Sequence, residues 1–383
     1  MLVDEAGRIA AVGPDAAVPT PPGVPMERFE DAVLMPGLVN AHTHLELTGL
    51  GGAVREASFP DWIRKLRQVK SERSYADFLA AAKQGIRDCW AAGVTTVADT
   101  GDSGAVIEAL AELDGRGVCY HEVFGPHPGQ VEESMAGLRC RVEELRRFTS
   151  ERVRLGVSPH APYTVSRELY RSVATWARQE GLPLAIHLAE SPEESALVGE
   201  GAGPFAEMWR RRGIPVDAGE GKTPVAWVDE LGVLGWDTLC IHMVQASEED
   251  LRMLAQRGSA IAHCPLSNRA HSHGTAPLKA IRRHGISVGL GTDSVVSVGT
   301  LDLMAEAQVA RSVAALDASE SLELATISAA RAIGWGSQIG ALEPGRRGDI
   351  ACFDVAAADP VESVLAATGS RLTIVEGRAV HRR

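Results

Sequence analysis

The chain's first candidates for metal chemistry are two histidines two residues apart, in Asn40-Ala41-His42-Thr43-His44. On an extended strand a spacing of two sends both imidazoles to one face. Two convergent imidazoles suit a divalent transition metal such as zinc. Taken alone, the pair also reads as two surface histidines. Four further groups change the balance. His187 is followed three residues later by Glu190, and His160, His242 and Asp293 each come at or just after the end of a short aliphatic run. His42, His44, His187 and Asp293 supply three imidazoles and a carboxylate, which can hold one metal and leave a position for water. Zinc lowers the pKa of a bound water to about 7. Glu190, close to a ligand but not obviously one itself, is then placed to move protons. His242 can orient the nucleophile, and Asp293 can both ligate and accept a hydrogen bond from the attacking water. A two-metal version needs a bridging group on a middle strand, such as a carboxylated lysine or a glutamate. Lys65, Lys70, Lys83, Lys222 and Lys279 all lie away from predicted strand ends, and the fourth strand offers His160. One divalent metal ion is therefore expected, zinc first and iron as the alternative.

Such a set works only if the chain brings its members to one place. Short β-branched and aliphatic runs, bounded by turn residues, predict strands over 38–41, 94–98, 117–123, 153–157, 184–186, 238–241, 259–262 and 286–290. Helical periodicity lies between them, as over 78–92, over 166–179 with Ser166 as cap, and over 248–256 with Ser247 as cap. Eight such alternations predict an α/β fold, a (β/α)8 TIM-like barrel. An open doubly wound sheet would want a Gly-x-Gly-x-x-Gly loop after an early strand, and none is present. In a barrel every candidate group falls at the C-terminal end of a strand, where barrel chemistry sits. The ends of the chain differ from the middle. Residues 1–35 and 339–383 carry hairpin-like turn chemistry, as at Glu376-Gly377, and are expected to form the two parts of one small β domain around a barrel over 36–338. The 190–238 gap is long enough for an extra helix or a lid.

Composition narrows the class of function. The 383 residues are 45% hydrophobic and 23% charged, as in ordinary globular chains rather than disordered or fibrous ones. No apolar run approaches the ~18–20 residues that span a bilayer. The net charge of −12 comes without any basic run, which argues against nucleic acid as a partner. The expected partner is a small-molecule substrate, with neither nucleic acid nor membrane and with a homodimer allowed. Six scattered cysteines without a Cys-x-x-Cys pair, and no visible secretory signal, point to a cytoplasmic protein without a disulfide framework.

The motifs together resemble the amidohydrolase superfamily, and within it the one-metal branch of nucleobase, nucleoside and triazine deaminases. The resemblance covers essentially the whole chain. It is carried by Pro36-Gly37-Leu38-Val39-Asn40-Ala41-His42-Thr43-His44, by Ser158-Pro159-His160-Ala161-Pro162-Tyr163-Thr164 and by His187-Leu188-Ala189-Glu190. It continues in His263-Cys264-Pro265-Leu266-Ser267-Asn268, in Gly291-Thr292-Asp293-Ser294 and in the segment from Gly340 to Asp349. By that similarity His42, His44, His187 and Asp293 match the metal ligands, Glu190 and His242 the proton-transfer residues, and His160 a substrate-contacting position. The resemblance implies a metal-dependent hydrolase that acts on a cyclic amidine C–N bond. Family members usually carry one or two more strands before residues 4–13, so either a reduced small domain or a late start is expected.

Within the branch, His44-Leu45-Glu46-Leu47-Thr48, Ser58-Phe59-Pro60-Asp61-Trp62-Ile63 and Ser267-Asn268-Arg269 with His273-Gly274 look like aminodeoxyfutalosine deaminases of the alternative menaquinone pathway. Their substrate is an adenine nucleoside extended by a benzoate. Methylthioadenosine, S-adenosylhomocysteine or guanine deaminases and triazine chloro- or aminohydrolases share the metal motifs, and a non-catalytic scaffold on the same fold is a reading from another class. Glu46 and Trp62 are taken as substrate contacts, Trp62 being equally readable as a buried helix residue. Phe59 and Trp62 offer faces for an aromatic ring. Arg269 is the expected partner of a benzoate, because a guanidinium matches a carboxylate in two hydrogen bonds; without such a substrate it reads as a surface arginine. His271 reads as part of a solvated loop, and His121 and His127 as structural.

Overall fold

In the computed structural model, which describes residues 1–216, 219–355 and 359–383, eight parallel strands follow one another around a single sheet. They are β1 (Leu38–Thr43), β2 (Val94–Gly101), β3 (Arg116–Val123), β4 (Val153–Pro159), β5 (Leu184–Leu188), β6 (Thr238–His242), β7 (Ala260–His263) and β8 (Val288–Leu290). Each pairs with its sequence neighbour, as in β3–β4, where Gly117 to Val123 stay in register with Val153 to Pro159. The sheet closes between β8 and β1. The Asp293 N–H donates to the His42 carbonyl at 3.0 Å, the Thr292 N–H donates to Asn40 Oδ1 at 3.0 Å, and Asn40 Nδ2 donates to Thr292 Oγ1 at 2.8 Å. The fold is therefore the expected α/β barrel.

Two apolar layers hold it. Val39, Ala41, Ala98, Val118, Ala185 and Ile241 pack with other small and aliphatic residues in one cluster, joined by Ala329 and Ala330 from the helix Ile327–Ala332 and by Trp335 just after it. The larger cluster lies between the strands and the helices. The helices start where the sequence supplies caps. Ser166 accepts from the Leu169 N–H ahead of Arg167–Gln179, and Ser247 forms a reciprocal box with Asp250 ahead of Glu248–Arg257. The second helix, predicted over 78–92, begins a turn earlier, at Tyr75–Ala91. Ser74 and Asp77 form another capping box there, which the apolar spacing alone did not signal. Among the described residues, the 190–238 gap holds three helices, Pro192–Glu200, Gly203–Arg211 and Pro224–Glu230.

The terminal strands form two sheets rather than one. Leu2–Val3 pairs with Ile9–Ala11, while Arg378–Arg382, Leu372–Val375, Ile350–Asp354 and Ala32–Pro36 form a four-stranded antiparallel sheet in that order. The strand Ala32–Pro36 was not expected. It gains its partner only from Ile350–Asp354 near the other end of the chain, so no local turn announces it. The two sheets meet where Gly348 donates to the Gly7 carbonyl at 2.7 Å. Gly7 has φ +72, and a Cβ there would lie 2.4 Å from the Glu376 carbonyl oxygen, so only glycine fits. Among the described residues no helix is long and apolar enough to cross a membrane.

Candidate metal centre and active site

The strand ends deliver the expected residues to one mouth. The ring centroids of His42 and His44 lie 4.8 Å apart, and those of His42 and His187 lie 5.0 Å apart. Ligand atoms of His42, His44 and His187 all fall within 4.8 Å of one another. Asp293 Oδ1 lies 3.4 Å from both His42 Nε2 and His44 Nε2. The approach depends on Gly291, since a Cβ there would lie 2.7 Å from the His42 Cβ. Glu122, His160 and His187 make a second convergent group that shares His187.

The protonation logic of the first group calls for a cation. His44 Nδ1 lies 2.9 Å from the Thr100 carbonyl, which can only accept, so Nδ1 carries the proton. In the neutral ring Nε2 then presents a lone pair to an Asp293 oxygen. Burial pushes the His42 imidazole down to about 4 and also lowers His44 and His187. Asp293 is buried as well, which works against ionisation; hydrogen bonding and positive charge from His42 and His44 hold its carboxyl well below the ordinary range, and with those rings neutral a bound cation would have to supply that charge. Neutral imidazoles facing an ionised carboxylate, lone pair to lone pair, form the donor set of a divalent metal. His42 Nε2 and His187 Nδ1 are buried without a hydrogen-bond partner among the described residues. The residues present fit the ion.

A proton-handling network adjoins this cluster. Tyr163 donates its hydroxyl to Glu190 Oε2 at 3.0 Å, and Glu190 Oε1 lies 3.5 Å from His242 Nε2 and 3.7 Å from His273 Nδ1. His242 Nδ1 pairs with Asn268 Oδ1 at 2.9 Å, and the Ser267 hydroxyl donates to Asp293 Oδ2 at 2.5 Å. Burial raises the Glu190 carboxyl above its ordinary pKa. Tyr163, Ser267 and Asn268 were not singled out from the sequence as site residues. They and His273 lie inside the motifs quoted above, but which neighbour each would hold is visible only in three dimensions.

Beside the cluster lies a cavity of about 420 Å³ that reaches His44, His187, Glu190, His242 and Asp293. His160 lines it and keeps Nδ1 2.9 Å from the Thr164 hydroxyl. Burial, then the nearby His44 and Lys70, push its imidazole down to about 3. Trp62 is buried in the helix Phe59–Ser71 and also lines the cavity. Its ring stands edge-on to His271 at 4.6 Å, which places His271 at the cavity rather than in a free loop. Two residues taken as substrate contacts lie outside the lining of this cavity. Glu46 does not line this cavity, because its buried carboxylate is taken up by Lys70 Nζ at 2.7 Å and by the Ser103 hydroxyl. Arg269 lies on the exposed side of the short helix Pro265–Ala270, whose Ser267 and Asn268 face the site, and it lines a different cavity with His263 and Thr275.

Comparison with known proteins gives a consistent picture. The model of the Amidohydrolase family matches residues 33–380. An aminodeoxyfutalosine deaminase from Deinococcus radiodurans is 36% identical over 298 residues, covering 74% of this chain and 69% of the relative. A 5-methylthioadenosine/S-adenosylhomocysteine deaminase from Desulfitobacterium hafniense is 32% identical over 357 residues, covering 90% and 78%. The crystal structure of an adenosine deaminase from Xanthomonas campestris with bound zinc superposes with a TM-score of 0.79 at 26% identity, covering 91% of this chain and 80% of that one.

Proposed function

The chain belongs to the amidohydrolase family and is an enzyme of its deaminase branch, and we propose that it hydrolyses the 6-amino group of an adenine nucleoside, with aminodeoxyfutalosine as the substrate. The observation that carries this reading is the convergence of His42, His44, His187 and Asp293 beside a buried Glu190 at the mouth of one cavity. These four residues would hold one divalent ion, zinc first, and such an ion supplies Lewis acidity that makes a water nucleophilic at neutral pH.

The remaining work belongs to side chains. Glu190 takes a proton from the attacking water as it adds to C6 and passes that proton to ring N1. Its oxygens already face Tyr163 on one side and His242 on the other. His242, fixed by Asn268, orients the nucleophile. Asp293 accepts a hydrogen bond from the water, with Ser267 holding its second oxygen. A second proton moves to the amine, the C6–N bond breaks, and ammonia leaves with an oxo group in its place. His160 would contact the substrate beside the ligands.

The identity to the aminodeoxyfutalosine deaminase supports the longer, acid-tailed substrate. The methylthioadenosine and S-adenosylhomocysteine reading is favoured by the greater share of the chain that those relatives cover. Ammonia release by the zinc-loaded protein, measured across aminodeoxyfutalosine, methylthioadenosine, S-adenosylhomocysteine, adenosine and 5′-deoxyadenosine, decides between them. A kcat/KM for aminodeoxyfutalosine at or below those of the other nucleosides would overturn the choice of substrate. Absence of ammonia from all of them would overturn the deaminase reading.

A further inference from the structure

The cavity has two ends of different chemistry. One end holds the histidine cluster and Glu190. Its wall is one face of the helix Phe59–Ser71, from which Phe59, Trp62, Ile63, Leu66, Arg67 and Lys70 all line the space. These positions recur every three or four residues, as one helix face requires. From Phe59 to Arg67 the helix advances ~12 Å. The face is apolar through Leu66 and turns cationic from Arg67 onward.

The two cations there are not equivalent. Lys70 Nζ is matched twice, by Glu46 Oε1 at 2.7 Å and Asp102 Oδ1 at 2.6 Å. Arg67 lines the same cavity, and among the described residues its guanidinium has neither an ion pair nor a hydrogen bond. Of the four acids that line the cavity, Asp102 is engaged with Lys70, Glu190 with Tyr163 and Asp293 with Ser267, while the buried Glu122 lies 3.9 Å from His160 and makes no ion pair with Arg67. An unpaired guanidinium at the end of an apolar wall suits a carboxylate carried on an aromatic group.

We propose that Arg67 anchors an anionic group at the far end of the substrate, and so selects adenine nucleosides whose 5′ substituent ends in an aromatic carboxylate. This inference rests on the reading that the site deaminates adenine nucleosides. The aryl ring lies along Trp62, Ile63 and Leu66, with Phe78 also lining the space, and the carboxylate meets Arg67. Arg269, which lines the separate cavity, has no part in this.

The test is kcat/KM by ammonia release for aminodeoxyfutalosine and for its benzoate methyl ester, in the zinc-loaded wild type, Arg67→Ala, Arg67→Lys and Arg269→Ala. The wild type prefers the acid by roughly 10- to 100-fold, the worth of a charge-assisted hydrogen bond. Arg67→Ala brings the acid-to-ester ratio close to one, with the change in KM rather than kcat. Arg67→Lys falls between, and Arg269→Ala keeps the wild-type ratio. In the wild type the KM for the acid rises with salt, and in Arg67→Ala it does not. A wild-type preference that persists in Arg67→Ala overturns the assignment of Arg67 and leaves the deaminase reading intact. Equal wild-type rates on acid and ester, both releasing ammonia, overturn the anionic anchor alone. No ammonia from either overturns the deaminase reading and this inference with it.

Discussion

Replacing Glu190 with glutamine separates proton transfer from metal binding. The change is isosteric in a buried site. The amide oxygen can still accept the Tyr163 hydroxyl that now donates to Oε2 at 3.0 Å. Glu190 is outside the convergent group of His42, His44 and His187, so zinc content and folding should be retained. What is lost is a carboxylate that can take and return a proton. General acid–base catalysis is worth ~10²–10⁴-fold, or ~3–5 kcal/mol of barrier, and kcat should fall by at least that factor. The pH profile supplies an independent readout. Burial is the largest influence on the Glu190 carboxyl and raises its pKa; Asp293 adds to the rise, while His242 and Tyr163 oppose it. A base must be ionised, so wild-type activity should be lost as pH falls through that raised value, above the ~4.3 of a free glutamate. Glu190→Gln should lack this acid limb in whatever activity remains. The assay is ammonia release from pH 4 to 9 on protein of known zinc content. Near-normal turnover in a metal-replete Glu190→Gln would refute the role, and so would loss of the metal.

His187→Ala should lower bound zinc from about one per chain to near zero by elemental analysis, and should abolish the rise in Tm that zinc gives the wild type; full zinc occupancy would remove His187 from the ligand set. Tyr163→Phe deletes a hydrogen bond that lowers the Glu190 pKa, so its acid limb should move to higher pH with modest loss at the optimum, and an unmoved or downward-shifted limb would refute that coupling. Asp349→Ala leaves the buried Arg116, whose Nε donates to Asp349 Oδ2 at 2.9 Å, with only Glu376 as acid partner. The expected cost is about 3 kcal/mol in urea unfolding, and a loss below ~1 kcal/mol would show that this pair does not tie the C-terminal segment to the barrel.

Much of this site was legible because the barrel makes sequence position and spatial position equivalent. His42, His187, His242 and Asp293 are far apart in the chain, but each closes or follows an aliphatic run, and a parallel sheet of eight such runs puts all their ends on one rim. What was not legible depends on packing between elements. Arg67 and Arg269 are both arginines on helices near the mouth. Both are exposed, and only the direction each helix takes across the mouth decides that Arg67 lines the central cavity and Arg269 a different one. Glu46 sits beside His44 in sequence, yet Lys70, from the helix across the mouth, and Ser103 draw its carboxylate away from the cavity. The strand Ala32–Pro36 escaped notice for a related reason, since its partner lies near the other end of the chain.

The backbone around the candidate metal centre shows how the barrel turns strand ends into a site. Ala189, His242, Met243 and Asp293 all have left-handed φ, at +49, +74, +55 and +56, although none is glycine. Such conformations cost ~1–3 kcal/mol each and persist only where the surroundings over-determine them. Here those surroundings can be named. The buried Glu194 carboxylate accepts from the Ala189 N–H at 2.9 Å and from the Glu190 N–H at 2.7 Å, clamping the turn that carries Glu190. The Met243 N–H donates to the Leu188 carbonyl at 3.1 Å, holding the end of β6 to β5. The Asp293 N–H donates to the His42 carbonyl, so the bond that closes the barrel also sets Asp293 beside the ligand it faces. Strain at three strand ends is thus braced by hydrogen bonds to the following helix, at Ala189, or to neighbouring strands, at Met243 and Asp293. The cavity's outer wall has a different origin: the helix Phe59–Ser71 is held across the mouth by side-chain contacts, such as Phe59 on His273 at 4.5 Å and Lys70 on Glu46. On the proposed reading, chemistry is built on the sheet and selectivity on one helix, so the two can change separately.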